Sequence, residues 1–379
     1  MAKRDDTAKA RTSLLHKRLL VCVGTGGVGK TTVAASVAVA AALHQRRSAV
    51  ITFDPARRLK DALGLTRLST EPQPVPLDGG ARLDAMALDT KRTFDEVVRR
   101  FAPSREVAER ILLNRLYQQL SDELGGSAEY MAMEKLHELA HHRRYQLLVV
   151  DTPPSAHARD LLAAPTRLGE LLATRAVALL KSPAALLGTS NSSIGRVALR
   201  TLLKALERWT GLTLLEDLSG FVSGFETMIA GFQTRAAEVA ALLRAPSTAF
   251  VLVTTPEPDA VATVIELHRE LRETGFPVAG VVANRVLAFP RLETLAVEEG
   301  QWPVPLRRKL LANYADLHTL SRRDRRTLGE LHEATGLPLL AAVPMLTEAP
   351  ISLAALRRFA AFIAPGLDEA ATAAVGAAV

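Results

Sequence analysis

Apolar and polar positions along the chain follow two periods, and the places where one gives way to the other mark its elements. LLVCVG (19–24) is apolar almost without break and ends in glycine, which predicts a buried strand. TTVAASVAVAAALHQ (31–45) predicts the following helix and SAVITFD (48–54) the next strand, so the chain opens as a strand–loop–helix–strand unit. A loop rich in proline and glycine follows (EPQPVPLDGG, 71–80), then ARLDAMALD (81–89) as a third strand. From Lys91 to His142 the pattern is helical. YQLLVVD (145–151) is a further apolar strand, of the kind found in a parallel sheet covered on both faces.

Residues 157–244 are rich in helical pattern and contain no convincing strand. AFVLVTT (249–255) and PVAGVVAN (277–284) resume the strand pattern, separated by the helix DAVATVIELHRELRETG. LPLLAAVP (337–344) predicts the last strand and ISLAALRRFAAFI (351–363) the last helix. Strands alternating with helices argue an α/β fold with a mostly parallel sheet flanked by helices. The expected organisation is a single domain over 1–379, with a helical segment at 91–142 and a helical insertion subdomain at 157–244. No internal repeat is visible.

Composition narrows the class. With 379 residues, 48% of them hydrophobic, the chain has material for a large core, and with 4% aromatics that core is built from Leu, Ala and Val. The longest apolar run, VAASVAVAAAL (33–43), is too short to span a bilayer. The first residues, MAKRDDTAKARTSLLHKR, are charged and lack the apolar stretch of a signal peptide, so a cytoplasmic protein is expected. Cys22 is the single cysteine, which excludes a CxxC zinc or redox site within one chain. The net charge is +7, but the basic runs at 307–309 and 322–326 read as solvated helix faces, and no nucleic-acid motif accompanies them.

The chemistry concentrates in VCVGTGGVGKTT (21–32). Gly24, Gly26 and Gly29 fit the dinucleotide fingerprint, with Asp54 as a distant acid for the ribose. The same stretch fits the phosphate-binding loop GxxxxGK[ST], and Lys30 with Thr31 favours it. A phosphate loop needs a lysine for the β/γ-phosphates and a hydroxyl for Mg²⁺, whereas a dinucleotide turn needs only glycines. Asp151, at the end of an apolar strand, stands where such enzymes keep the acid that positions Mg²⁺, although an Asp at a strand end is often only a cap. Asp54 closes the strand next after the loop. It is a candidate for orienting or deprotonating the attacking water.

GTGGVGKTT, FDPA and DTPPSAH, in this order and spacing, resemble the arsenite-pump ATPases and the ATPases that target tail-anchored proteins in the guided-entry pathway. Both lie in the deviant-Walker P-loop class. The resemblance implies an ATPase using ATP and Mg²⁺, in which Gly26, Gly27, Val28, Gly29, Lys30, Thr31 and Thr32 hold the phosphates. It implies Asp54 as the catalytic acid beside Lys30, and Thr31, Asp54 and Asp151 around the Mg²⁺. It further implies Asn284 and Pro344 near the adenine and His157 in a switch segment.

The chain also departs from that pattern. Thr25 stands where the family has a lysine that crosses a dimer interface, and Ala156 replaces a glycine. The cysteines that bind zinc or metalloid are absent, which argues against arsenite as ligand. Arg57 and Arg58 are alternative sources of the missing cation.

Two functional classes are expected from this. One is a nucleotide-switched dimer, a homodimer or a heterodimer, that carries or gates a hydrophobic client through its helical subdomain. Its motif is LSGFVSGFETMIAGF (218–232), where Phe221, Phe225, Met228 and Phe232 recur at helical spacing, as they also would in a stripe packed on the protein's own core. The other is a regulatory, partner-activated ATPase in a heterodimer with a lysine-bearing paralogue. No nucleic-acid partner is expected, nor a transmembrane segment.

Overall fold

The computed structural model describes residues 14–53, 58–102, 104–113, 127–142, 144–153, 231, 234–287 and 303–367. Its strands are β1 (Leu19–Gly24), β2 (Ser48–Thr52), β3 (Gln73–Pro74), β4 (Leu83–Ala87), β5 (Leu147–Asp151), β6 (Thr248–Thr254), β7 (Val278–Val286) and β8 (Leu339–Pro344). Its helices are α1 (Lys30–Leu43), α2 (Arg58–Ala62), α3 (Thr90–Phe101), α4 (Arg105–Leu113), α5 (Ser127–His141), α6 (234–244), α7 (Pro258–Glu273), α8 (Val304–Thr335) and α9 (Leu353–Leu367). The chain divides into two compact units, Met1–Ala87 with Arg143–Ala158 and Leu243–Val379, and Leu88–His142 with Arg159–Leu242.

The first unit holds an eight-stranded sheet in the order β3-β4-β2-β5-β1-β6-β7-β8. Every pair is parallel except β3 with β4. This is the α/β architecture that the alternating pattern predicts. β3 lies inside the segment 71–80 that reads as loop. Two residues carry no period, and Pro74 is tolerated because β3 is an edge.

β1 runs down the middle of the sheet, between β5 and β6. Leu20 and Cys22 share a core with Val50, Val149, Val251 and Val253 and with the buried faces of α1 and α9. α1 is buried from Val33 to Ala42 and is apolar on every side apart from Ser36, as suits an enclosed helix. Its alanines let it nest between the sheet and α9, and the Ala38 carbonyl accepts from Ser48 Oγ at 2.9 Å. On the opposite face α7 packs on β6, β1 and β7 through Val261, Val264, Leu267 and Leu271. There Phe250 stacks on Phe276 with ring centroids 5.0 Å apart. Full burial of a ring of that size contributes about 1.5–3 kcal/mol.

α8 carries the basic runs. Arg308, Lys309, Arg322, Arg323, Arg325 and Arg326 are exposed on it, while buried Asp324 accepts from the Leu287 N–H at 3.1 Å.

The second unit begins at α3, capped by Asp89, whose carboxylate accepts from Arg92 N at 2.9 Å. Val97, Val98, Ala108, Ile111 and Met131 form a small core between α3, α4 and α5. α5 and α6 are joined by a buried ion pair, Arg235 Nε to Glu134 Oε2 at 2.6 Å. The Arg235 guanidinium also covers the Phe101 ring, 3.8 Å from its centroid. Burial pushes the Glu134 carboxyl above its ordinary value, against the opposing pull of Arg235. The segment 157–230, including Phe221, Phe225 and Met228, and Phe232 with it, lies outside the described residues.

The tight seat of α1 has a measurable consequence. Ala38→Leu forces extra methyl groups into a filled core and should cost about 1–3 kcal/mol in chemical denaturation. An unchanged denaturation midpoint would mean that α1 is not enclosed as described.

Candidate phosphate-binding site

β1 delivers the chain to the carboxyl edge of the sheet at Gly24, and α1 takes it up again at Lys30. The turn between them is cramped. Gly24 lies opposite Val253 in the sheet, and a Cβ on Gly24 would collide with the Val253 carbonyl. Gly29 caps α1 with φ 95°, in the left-handed region that a side chain disfavours, and a Cβ there would run into the Asn284 amide. Gly26 and Gly27 are exposed, Val28 is buried, and Thr31 and Thr32 are half-buried in the first turn of the helix. A helix start with its N–H groups aimed out of a glycine-rich turn is an anion cradle.

Lys30 is buried, 7% exposed, and its Nζ donates to the Thr25 carbonyl at 2.7 Å. The ammonium therefore lies over the loop and not in solvent. Asp151 ends β5, directly beside β1 in register with Cys22, and is fully buried. Its Oδ2 accepts from Thr52 Oγ1 on β2 at 2.8 Å. Thr152 Oγ1 in turn donates to the Cys22 carbonyl at 2.8 Å. These two hydroxyls tie the ends of β2, β5 and β1 together. Cys22 senses the resulting field: burial above all, then the Asp151 carboxylate, raises its thiol pKa, and Lys30 pulls it the other way.

Asn284 lies near the end of β7 and reaches the same loop. Its Nδ2 donates to the Val28 carbonyl at 2.9 Å, and its Oδ1 accepts from Arg285 N at 2.9 Å. Arg285 has φ 57°, uncommon for a residue with a side chain, at the point where the β7–β8 register shifts. In this arrangement the Asn284 amide braces the loop between β1 and α1. Pro344 ends β8 beside Val286 of β7.

The structure thus gathers the loop, Lys30, Asp151 and Asn284 at one edge of the sheet. Asp54, Pro55, Ala56 and Arg57 lie outside the described residues, as do Ala156 and His157; Arg58 is described and exposed at the start of α2. In the sequence Thr152 figures only as part of the turn after Asp151, and Thr52 is not singled out. The available signal is a hydroxyl at the end of an apolar strand for Thr52 and just beyond such a strand for Thr152, but their partners are set by strand register and not by local sequence.

Mg²⁺ takes hard oxygen ligands, and the oxygens here fit it. The Thr31 hydroxyl opens α1 at the end of the loop, and the Asp151 carboxylate lies buried at the end of the adjoining strand.

Residues 17–301 match the anion-transporting ATPase family. The ATPase GET3 of Malassezia globosa is 26% identical to the chain, over 72% of it and 73% of that relative. An ATPase ASNA1 homolog of Cryptosporidium parvum is 27% identical, over 76% and 69% respectively. A Mycobacterium tuberculosis protein is 33% identical, but the match covers 45% of this chain and 40% of that relative's length. The family match runs from just before β1 through β7, and so includes the loop, Asp151 and Asn284. The chain belongs to the anion-transporting ATPase family and is an ATPase.

Proposed function

We propose that the chain binds Mg·ATP through residues 24–32, hydrolyses it slowly when alone, and works as a nucleotide-switched dimer. The observation that carries this reading is Lys30, buried against the Thr25 carbonyl inside a turn in which a side chain at Gly24 or Gly29 would collide with its neighbours. In the proposed complex the N–H groups of Gly26 to Thr32 wrap the phosphates and Lys30 exchanges a carbonyl for anionic oxygens. Thr31, Asp151 and Asp54 are the candidate holders of Mg²⁺ or of its waters. Bound Mg²⁺ would neutralise charge on the β/γ-phosphate oxygens. Asn284 and Pro344 are the candidate adenine contacts, and the hydrogen bond from Asn284 to the loop supports that role.

The helical subdomain is the proposed holder of an apolar client, in line with the resemblance to targeting ATPases. Arsenite is not proposed. Cys22 is the chain's only cysteine and is fully buried, so no thiolate is offered to a soft metalloid. No described helix is long and apolar enough to cross a membrane. A heterodimer with a lysine-bearing paralogue is the second reading, and Thr25 favours it. A neutral hydroxyl cannot replace a cation at a transferring phosphoryl group, where electrostatic stabilisation is usually the largest catalytic term.

Three variants test the scheme. Lys30→Ala should weaken ATP binding at least tenfold in calorimetry, about 1.4 kcal/mol or more, with the fold intact; equal affinity would refute the phosphate assignment. Asp54→Asn retains shape but loses the basic carboxylate, so single-turnover hydrolysis should slow about a hundredfold while ATP still binds. A wild-type single-turnover rate would place the base elsewhere. Thr25→Lys should raise the basal rate of the pure protein. If the basal rate is instead fast and collapses in Arg57→Ala or Arg58→Ala, an arginine already supplies the cation and no partner is required.

A further inference from the structure

We propose that His137 and His141 of α5, with Glu238 of α6, form a divalent transition-metal site of the zinc type in the helical unit. The three side chains bring their ligand atoms within 4.8 Å of one another. His137 Nε2 lies 2.5 Å from Glu238 Oε2, and His141 Nε2 lies 3.5 Å from the same oxygen. The two imidazoles stack, with centroids 4.0 Å apart. Bonds of about 2.0–2.2 Å at tetrahedral angles put neighbouring donors roughly 3.3–3.5 Å apart. The His141–Glu238 spacing already fits. The His137–Glu238 contact has to open by about an ångström to meet that geometry, and the Glu238 side chain, 47% exposed, has room to do so.

The hydrogen bonding around His141 points the same way. Its Nδ1 lies 3.1 Å from the His137 carbonyl, which can only accept, so Nδ1 carries the proton. With Nδ1 so engaged, Nε2 is the ring atom that faces the Glu238 carboxylate oxygen, 3.5 Å away, and is the one left to ligate a metal. A second ring N–H held by a backbone carbonyl is also how metal-ligating histidines are commonly oriented. At His137 the metal would take the place of the Nε2 proton, which moves to Nδ1, so the ring remains neutral.

The site is built on a fixed frame. One helical turn before it, Glu134 and Arg235 join the same two helices through their buried ion pair. The sequence carries part of the signal: HELAH (137–141) is an H-E-x-x-H run, which on a helix places both imidazoles on one face. The third ligand comes from a different helix and is invisible to the motif. Two histidines and a glutamate leave a coordination position open. Glu138, which in a hydrolytic site of this pattern serves as base, is instead ion-paired with Lys135 at 3.2 Å and Arg100 at 3.8 Å. The assignment is therefore metal binding that clips α5 to α6, and not peptide hydrolysis.

The test uses the full chain without a polyhistidine tag, stripped by chelator and titrated with Zn²⁺ against a chromophoric competitor. Co²⁺ serves as the spectroscopic probe. Equimolar Zn²⁺ binding is expected, with a visible Co²⁺ spectrum of low coordination number and a raised melting temperature. His141→Ala, at an exposed position that should leave folding intact, and Glu238→Gln should each weaken binding at least about tenfold and abolish the Co²⁺ spectrum. His332→Ala on α8 should change nothing. If the wild type fails to bind Zn²⁺ stoichiometrically, or if His141→Ala and Glu238→Gln bind as the wild type does, the cluster is a hydrogen-bonded pair and no metal site.

Discussion

The loop after β1 is confined on two sides. The Val253 carbonyl of β6 presses on Gly24, and the Asn284 amide of β7 presses on Gly29. Between these contacts the loop turns into the start of α1, with Lys30 folded back over it. The buried alanine helix holds the far end of this turn in place. It is enclosed by the sheet and α9, so the loop is anchored by a rigid element at each end. Preorganisation of this kind lets an anion bind without first ordering the chain.

The acidic side of the site depends on register. Because β5 pairs with β1 on one side and β2 on the other, Asp151 arrives beside Cys22 and opposite Thr52. A buried carboxylate is costly unless hydrogen-bonded, and the Thr52 hydroxyl meets part of that need. Thr152 adds a second link, to the β1 carbonyl just before the loop. A one-residue slip of β5 would point Asp151 to the other face of the sheet and lose both links. The cation of Lys30 and the anion of Asp151 thus sit near the same buried thiol, which is why the Cys22 thiol is pulled in opposite directions by the two.

What could be read from the sequence is what is contiguous in it. The strand, glycine turn and helix of residues 19–45 lie in one stretch, and the apolar runs ending at Asp151 and Asn284 are long enough to declare buried parallel strands. The α/β class followed from their alternation with helices. The two-residue strand β3 carried no period and was read as loop. The Thr52–Asp151 bond spans strands far apart in sequence, and the bracing role of Asn284 depends on a positive φ at Arg285 that no propensity announces. The helical unit shows the same division. HELAH places two imidazoles by local geometry, whereas Glu238 joins them only because Glu134 and Arg235 bring α6 against α5.

The central claim is that the turn from Gly24 to Thr32 holds the phosphates of a nucleotide through its backbone N–H groups. Amide hydrogen exchange, followed on peptides covering residues 24–33 with and without Mg·ATP, measures those groups directly. The account predicts marked slowing of exchange in these peptides with Mg·ATP, none with NADH at the same concentration, and little change along the already buried α1. Exchange at residues 24–33 that is indifferent to Mg·ATP, or that slows equally with NADH, would contradict it.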